Sequence, residues 1–151
     1  MAAAPPSQRC KKRVEKELEK WDNSGEFVLE IVNETQWIVH FRGVAETLYE
    51  GEEFRLRITF QGDYPMEAPE VIFVKPYVPK HPHIYSNGHI CLSILGDEWS
   101  PAQTARTVCL SILSMMSSSP AKEWPPDNVQ YTSRKTGGPK STRFEYHDDT
   151  V

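Results

Sequence analysis

With 151 residues, 25% of them charged and 38% hydrophobic, the chain has the composition of one soluble domain large enough for a real core. A net charge of −4 offers no bulk affinity for nucleic acid or an anionic membrane, and no apolar run approaches the length of a membrane span. Cys10, Cys91 and Cys109 are odd in number and far apart, which fits free thiols in a reducing compartment; cytoplasm and nucleus are the expected locations.

Met1 to Gln8 lacks the apolar core of a secretory signal, and Ala2 to Ser7 reads as a frayed N-terminus. Arg9 to Trp21 then reads as a helix, with Cys10, Val14, Leu18 and Trp21 recurring at helical spacing. Its first turns hold Arg9, Lys11, Lys12 and Arg13. Cations there oppose the helix dipole, so they are either a solvated face or a docking surface for an acidic partner.

Phe27 to Val32, Gln36 to Arg42, Glu53 to Phe60 and Glu70 to Lys75 read as strands of an antiparallel meander. The third is clearest: Phe54, Leu56, Ile58 and Phe60 alternate with Glu53, Arg55, Arg57 and Thr59, so one face is covered. Pro65, Pro69, Pro76, Pro79 and Pro82 then impose an irregular path. Ser100-Pro101 is expected to open a helix running to about Met116, with Ser100 as N-cap. Ala105, Val108, Cys109, Ile112 and Met116 line its apolar face. Cys10 and Cys109 read as core residues. Trp124 to Asn128 looks like an ordered loop, and Lys135 to Lys140 looks flexible. Phe144 and Tyr146 either pack on the domain or sit in a tail.

Between the prolines and that helix runs His81-Pro82-His83-Ile84-Tyr85-Ser86-Asn87-Gly88-His89-Ile90-Cys91-Leu92-Ser93-Ile94-Leu95. If extended, it turns Ile90, Leu92 and Ile94 to one face and Cys91 and Ser93 to the other. A thiol facing away from the apolar side is expected to be within reach of a partner.

Three chemistries compete for it. His81, His83, His89 and Cys91 are all zinc-ligating types, but their spacing matches no familiar site and Pro82 stiffens the first pair. A cysteine hydrolase needs a histidine base from elsewhere, and only His40 and His147 are distant. An acyl carrier needs only a reachable thiolate and a donor for the developing oxyanion; a polar surround poor in bases suits it.

The segment resembles the active-site stretch of ubiquitin-conjugating enzymes, which read His-Pro-Asn, about seven residues, then Cys-Leu. Tyr64-Pro65 with Pro69 is similar to that family's Tyr-Pro-x-x-x-Pro turn, and Trp99-Ser100-Pro101-Ala102 to its Trp-Ser-Pro-Ala loop and helix start. The resemblance covers roughly Gln8 to Asn128. It implies an α+β fold: an N-terminal helix, a four-stranded antiparallel meander, the cysteine segment, a central helix, and a truncated, partly flexible C-terminal region. The implied division is a flexible start at 1–8, a catalytic core at 9–128 and a variable tail at 129–151.

The resemblance further implies that Cys91 accepts ubiquitin as a thioester from an activating enzyme, and that a RING or U-box ligase promotes aminolysis by a protein substrate; the alternative is the same chemistry with another ubiquitin-like modifier. No cofactor or metal is implied, since ATP is used by the activating enzyme upstream. Lys12, Arg13 and Lys16 correspond to positions that meet the activating enzyme and ligases. Met66, Ser100, Pro101 and Ala102 correspond to the ligase-contacting loops, with Met66 where relatives often carry phenylalanine. Leu110 and Ser111 correspond to positions that cradle the donor ubiquitin. A weak homodimer is a further expectation.

Several positions depart from the family pattern. His83 stands in place of the asparagine credited with holding the active-site loop, of which His81, Pro82 and Asn87 are also part, and with helping the oxyanion. A histidine there either donates a hydrogen bond or orders the loop without touching the reaction. Ser93 lies where many relatives have aspartate, and Asn128 near another acidic position that helps to activate an incoming lysine. His-Pro-His, together with a short ending Tyr146-His147-Asp148-Asp149, resembles the W-type branch of the family. That branch is associated with monoubiquitylation of flexible protein N-termini. Asp148 and Asp149 would then attract an ammonium group or form a solvated tail.

Overall fold

The computed structural model describes residues 5–134. The alternating apolar runs form a four-stranded antiparallel meander in chain order: β1 (Val28–Asn33), β2 (Gln36–Arg42), β3 (Glu53–Thr59) and β4 (Glu70–Phe73). Trp37, Val39 and Phe41 of β2 face Ile58, Leu56 and Phe54 of β3, whose Leu56 and Ile58 in turn meet Phe73 and Val71 of β4. These side chains are buried on one face, as the period of two requires. They join one core with Cys10 and Val14 of α1 (Gln8–Glu19) and with Val108, Cys109, Ile112, Met115 and Met116 of α2 (Ala105–Ser117). Cys10 and Cys109 are core residues, and burial pushes the Cys109 thiol up to about 12.

The start of α1 is tied down more firmly than its sequence suggests. Ser7, expected in a frayed segment, is the N-cap and accepts from the Cys10 N–H. Its own N–H donates to the Gly62 carbonyl, and its hydroxyl to Asp63. Arg9 also pairs with Asp63.

The start of α2 corrects the expectation for Ser100 and Pro101. They lie in a turn, and the helix begins at Ala105 under the N-cap Thr104. Thr104 and Thr107 form a reciprocal capping box, satisfying two N-terminal donors that Ser100 would leave open. The Ser100 hydroxyl accepts instead from the Ala102 N–H at 3.3 Å. A short helix, α3 (Asn128–Arg134), follows the Trp124–Asp127 segment and crosses the expected boundary between core and tail. Lys135 to Lys140, Phe144, Tyr146, His147, Asp148 and Asp149 lie outside the described residues. Among the described residues no helix is long and apolar enough to cross a membrane.

Candidate active site

Residues 81–90 form a tight turn stack rather than a strand. Ile84 N–H donates to the His81 carbonyl, Tyr85 N–H to His89, and Gly88 N–H to Tyr85. Asn87 accepts from the His89 N–H through its side chain. Gly88 adopts φ +94°, and a Cβ there would sit 2.2 Å from the Phe73 carbonyl oxygen. Only glycine allows the close approach through which Phe73 N–H donates to the Gly88 carbonyl, fixing the turn to β4.

His81 is fully buried below this turn. Its Nδ1 accepts from the His83 N–H at 2.9 Å, so Nε2 carries the proton and donates to the Met115 carbonyl at 3.2 Å. Burial, reinforced by His83, lowers its pKa to about 4, although the Met115 contact opposes this. The His83 carbonyl accepts from the Cys91 N–H at 2.8 Å. The histidine pair thus pins the backbone of the cysteine, whatever the His83 ring does. The two rings lie 5.7 Å apart.

Cys91 itself corrects an expectation. It retains only 6% exposure, and Ser93 across from it is equally covered. The segment makes isolated bridges rather than a ladder, then closes into a single 3₁₀ turn, Ser93–Leu95, so it has no open face. Even so, Cys91 is the one thiol of the three outside the hydrophobic core cluster.

One wall beside the turn was not anticipated. The Tyr85 hydroxyl donates to both carboxylate oxygens of Asp127, at 3.0 and 3.2 Å. Tyr85 is pushed above the usual phenol range, first by burial and next by Asp127; Cys91 lies close enough to add to the shift. Asn128, expected near an acid that activates an incoming lysine, does not take that place itself. Its side chain accepts from the Ser86 N–H and donates to the Ser86 hydroxyl, while its neighbour Asp127 supplies an exposed carboxylate. Tyr131 of α3 contacts His89 through its hydroxyl and stacks on Tyr85. An Asp-Asn pair opening a helix is a start signal that could have located α3; its target could not be read from the chain.

The elements expected to meet the activating enzyme and ligases are tied to one another. Trp99 Nε1–H donates to the Pro65 carbonyl and ties the Met66 turn to the Ser100–Ala102 turn. Met66 is 53% exposed, and Pro101, Ala102, Lys12 and Lys16 are also exposed. Arg13 differs: its donors go to Glu17 and to the Pro101 and Gln103 carbonyls, so it braces the loop from within. Glu17 is buried and also accepts from the Tyr64 hydroxyl and the Ala105 N–H. Leu110 is exposed and Ser111 half-buried on α2.

Both His81 nitrogens are engaged and His89 Nδ1 meets Tyr131, and among the described residues no three His, Cys, Asp or Glu side chains converge as metal ligands. His40 is paired with Glu30.

Residues 13–145 match the family model described as ubiquitin-conjugating enzyme. Over 144 residues, 92% of this chain and 89% of the relative, the chain is 50% identical to ubiquitin-conjugating enzyme 15 of Arabidopsis thaliana. It is 53% identical over 116 residues to ubiquitin-conjugating enzyme E2 W of Caenorhabditis elegans, covering 77% of this chain and 76% of that one. The crystal structure of the ubiquitin-conjugating enzyme E2 UbcA1 from Agrocybe aegerita superposes with a TM-score of 0.82 at 35% identity, covering 88% of this chain and 99% of that one. The chain belongs to the ubiquitin-conjugating enzyme family, transferases that carry ubiquitin as a thioester on an active-site cysteine, and it aligns with the W type.

Proposed function

We propose that this protein takes ubiquitin from the activating enzyme onto Cys91. With a RING or U-box ligase it then transfers one ubiquitin at a time, chiefly to the α-amino groups of flexible substrate N-termini. The observation that carries the assignment of Cys91 is its position. It alone among the three cysteines stands outside the hydrophobic core, with its backbone pinned by the His81–His83 pair.

In the transfer, the acceptor nitrogen forms an amide bond to the thioester carbonyl carbon. The C–S bond breaks, its electron pair stays on the Cys91 sulfur, and the nitrogen releases a proton to solvent. Such a reaction needs a neutral amine. At pH 7.3 a lysine of pKa near 10.4 is only about 0.1% neutral, whereas an α-amine of pKa near 7.8 is roughly a quarter neutral. Ser93 in place of the family's aspartate supports the α-amine reading, because it leaves lysine with less help. Asp127 remains as one carboxylate on the acceptor side.

Lys12, Lys16, Met66, Pro101 and Ala102 are the proposed contacts for the activating enzyme and ligases, and Leu110 and Ser111 for donor ubiquitin. Free thiols support a nuclear and cytoplasmic setting.

The test is a substrate with a flexible N-terminus, offered either free or acetylated with its lysines intact. Modification confined to the free form is expected. Equal modification of both would overturn the acceptor preference. In the same assay Ser93→Asp with Asn128→Asp should raise transfer to free lysine; an unchanged lysine rate would count against the explanation.

A further inference from the structure

A helix of seven residues has too few hydrogen bonds to hold its own shape or place, so the position of α3 is set by what it touches. The side chains of Asn128 and Tyr131, with Asp127 just before the helix, converge on one turn. Tyr85 meets Asp127, Ser86 meets Asn128 twice, and His89 meets Tyr131 at 2.7 Å; every one of these pairs is separated by 42 residues. The chain from 127 to 131 is laid along the chain from 85 to 89. The Tyr131 ring stacks on Tyr85 at 3.8 Å between centroids and 18° between planes. Tyr85, His89 and Tyr131 are all buried, yet none belongs to the hydrophobic core cluster. The core closes without them. What they fix is the wall two residues from Cys91, and Asp127 is the exposed carboxylate that this wall presents.

We propose that Tyr131 is a positioning residue for the transfer step, aligning the acceptor side of the Cys91 site through its hydroxyl on His89 and its ring on Tyr85. This deepens the function proposed above and rests on Cys91 being the carrier. Tyr131 touches neither thioester nor amine. It holds Tyr85, and through it Asp127, where an approaching amine meets the carbonyl carbon. Misplacement of a reacting pair by about 1 Å costs on the order of a hundredfold in rate, so loss of one anchoring hydroxyl has a measurable effect on turnover.

The experiment starts from ubiquitin thioesters isolated on the wild type, Tyr131→Phe, Asp127→Asn and the double variant. Each is discharged in a single turnover by a peptide with a free N-terminus over a range of concentrations. Tyr131→Phe keeps the ring and its stacking. It should lower the saturating rate about tenfold with the half-saturating peptide concentration unchanged. The double variant should be no slower than the slower single variant, because the two residues act as one unit. Wild-type discharge by Tyr131→Phe, or multiplying losses in the double variant, would overturn the proposal while leaving Cys91 as carrier. Absence of any thioester on the wild type would overturn both.

Discussion

The His83 N–H donates to Nδ1 of His81 at 2.9 Å, and this one bond decides the protonation of a fully buried ring. With Nδ1 accepting and Nε2 donating to Met115, a second proton has no place without breaking the turn that carries Cys91. The folded protein holds His81 near pKa 4 against 6.5 when unfolded. Between those values the unfolded chain binds more protons, so stability rises with pH. The contribution is fully present above about pH 6.5 and is lost as pH falls toward 4, to a total of about 3 kcal/mol. Urea unfolding of the wild type and His81→Gln between pH 7.5 and 4 tests this. The wild type should lose more stability than the variant across that window; parallel losses would exclude it.

Glu17 is the second polar group whose burial has a cost. Three donors reach it, from its own helix, a turn and the start of α2: Arg13, Tyr64 and Ala105. Removing it leaves the Arg13 guanidinium, the Tyr64 hydroxyl and a helix N–H without that partner. Glu17→Ala should cost about 3 kcal/mol in urea unfolding, and Glu17→Gln less, since an amide oxygen still accepts. A loss below about 1 kcal/mol for Glu17→Ala would show that the network carries little stability.

Lys12 and Lys16 present the opposite case. They are exposed on α1, and no described ion pair involves them. Lys12→Glu with Lys16→Glu should leave stability within about 0.5 kcal/mol while slowing loading by the activating enzyme several-fold, more so at low salt. Loading at the wild-type rate at every ionic strength would remove α1 from the docking surface. Arg13→Ala, by contrast, should lower stability, because its donors already serve Glu17, Pro101 and Gln103.

These residues also mark where sequence reasoning succeeds and stops. β3 is legible because Phe54, Leu56 and Ile58 repeat at the period of a half-covered strand, and the structure buries all three. Cys109 is legible for the analogous reason on α2. The start of α2 is not, because Ser100 and Thr104 are both capping types and Thr107 at N3 is a weaker partner than the usual Glu or Gln. The covered state of Cys91 escapes an argument from alternation, which holds only for a strand in a ladder. The pairing of 85–89 with 127–131 spans some forty residues and follows no local period, so only the fold reveals it. Arg13 illustrates the same limit: a cation in a basic run reads as a surface charge, and only its neighbours show it to be a brace.

The central claim is that Cys91, and neither core thiol, carries ubiquitin. The most direct measurement incubates the wild type, Cys91→Ala, Cys10→Ala and Cys109→Ala with ubiquitin, activating enzyme and ATP, then resolves them without reductant. A band shifted by one ubiquitin and cleaved by thiol is expected in the wild type and in both core variants, and not in Cys91→Ala. A reductant-sensitive band that survives in Cys91→Ala would contradict it.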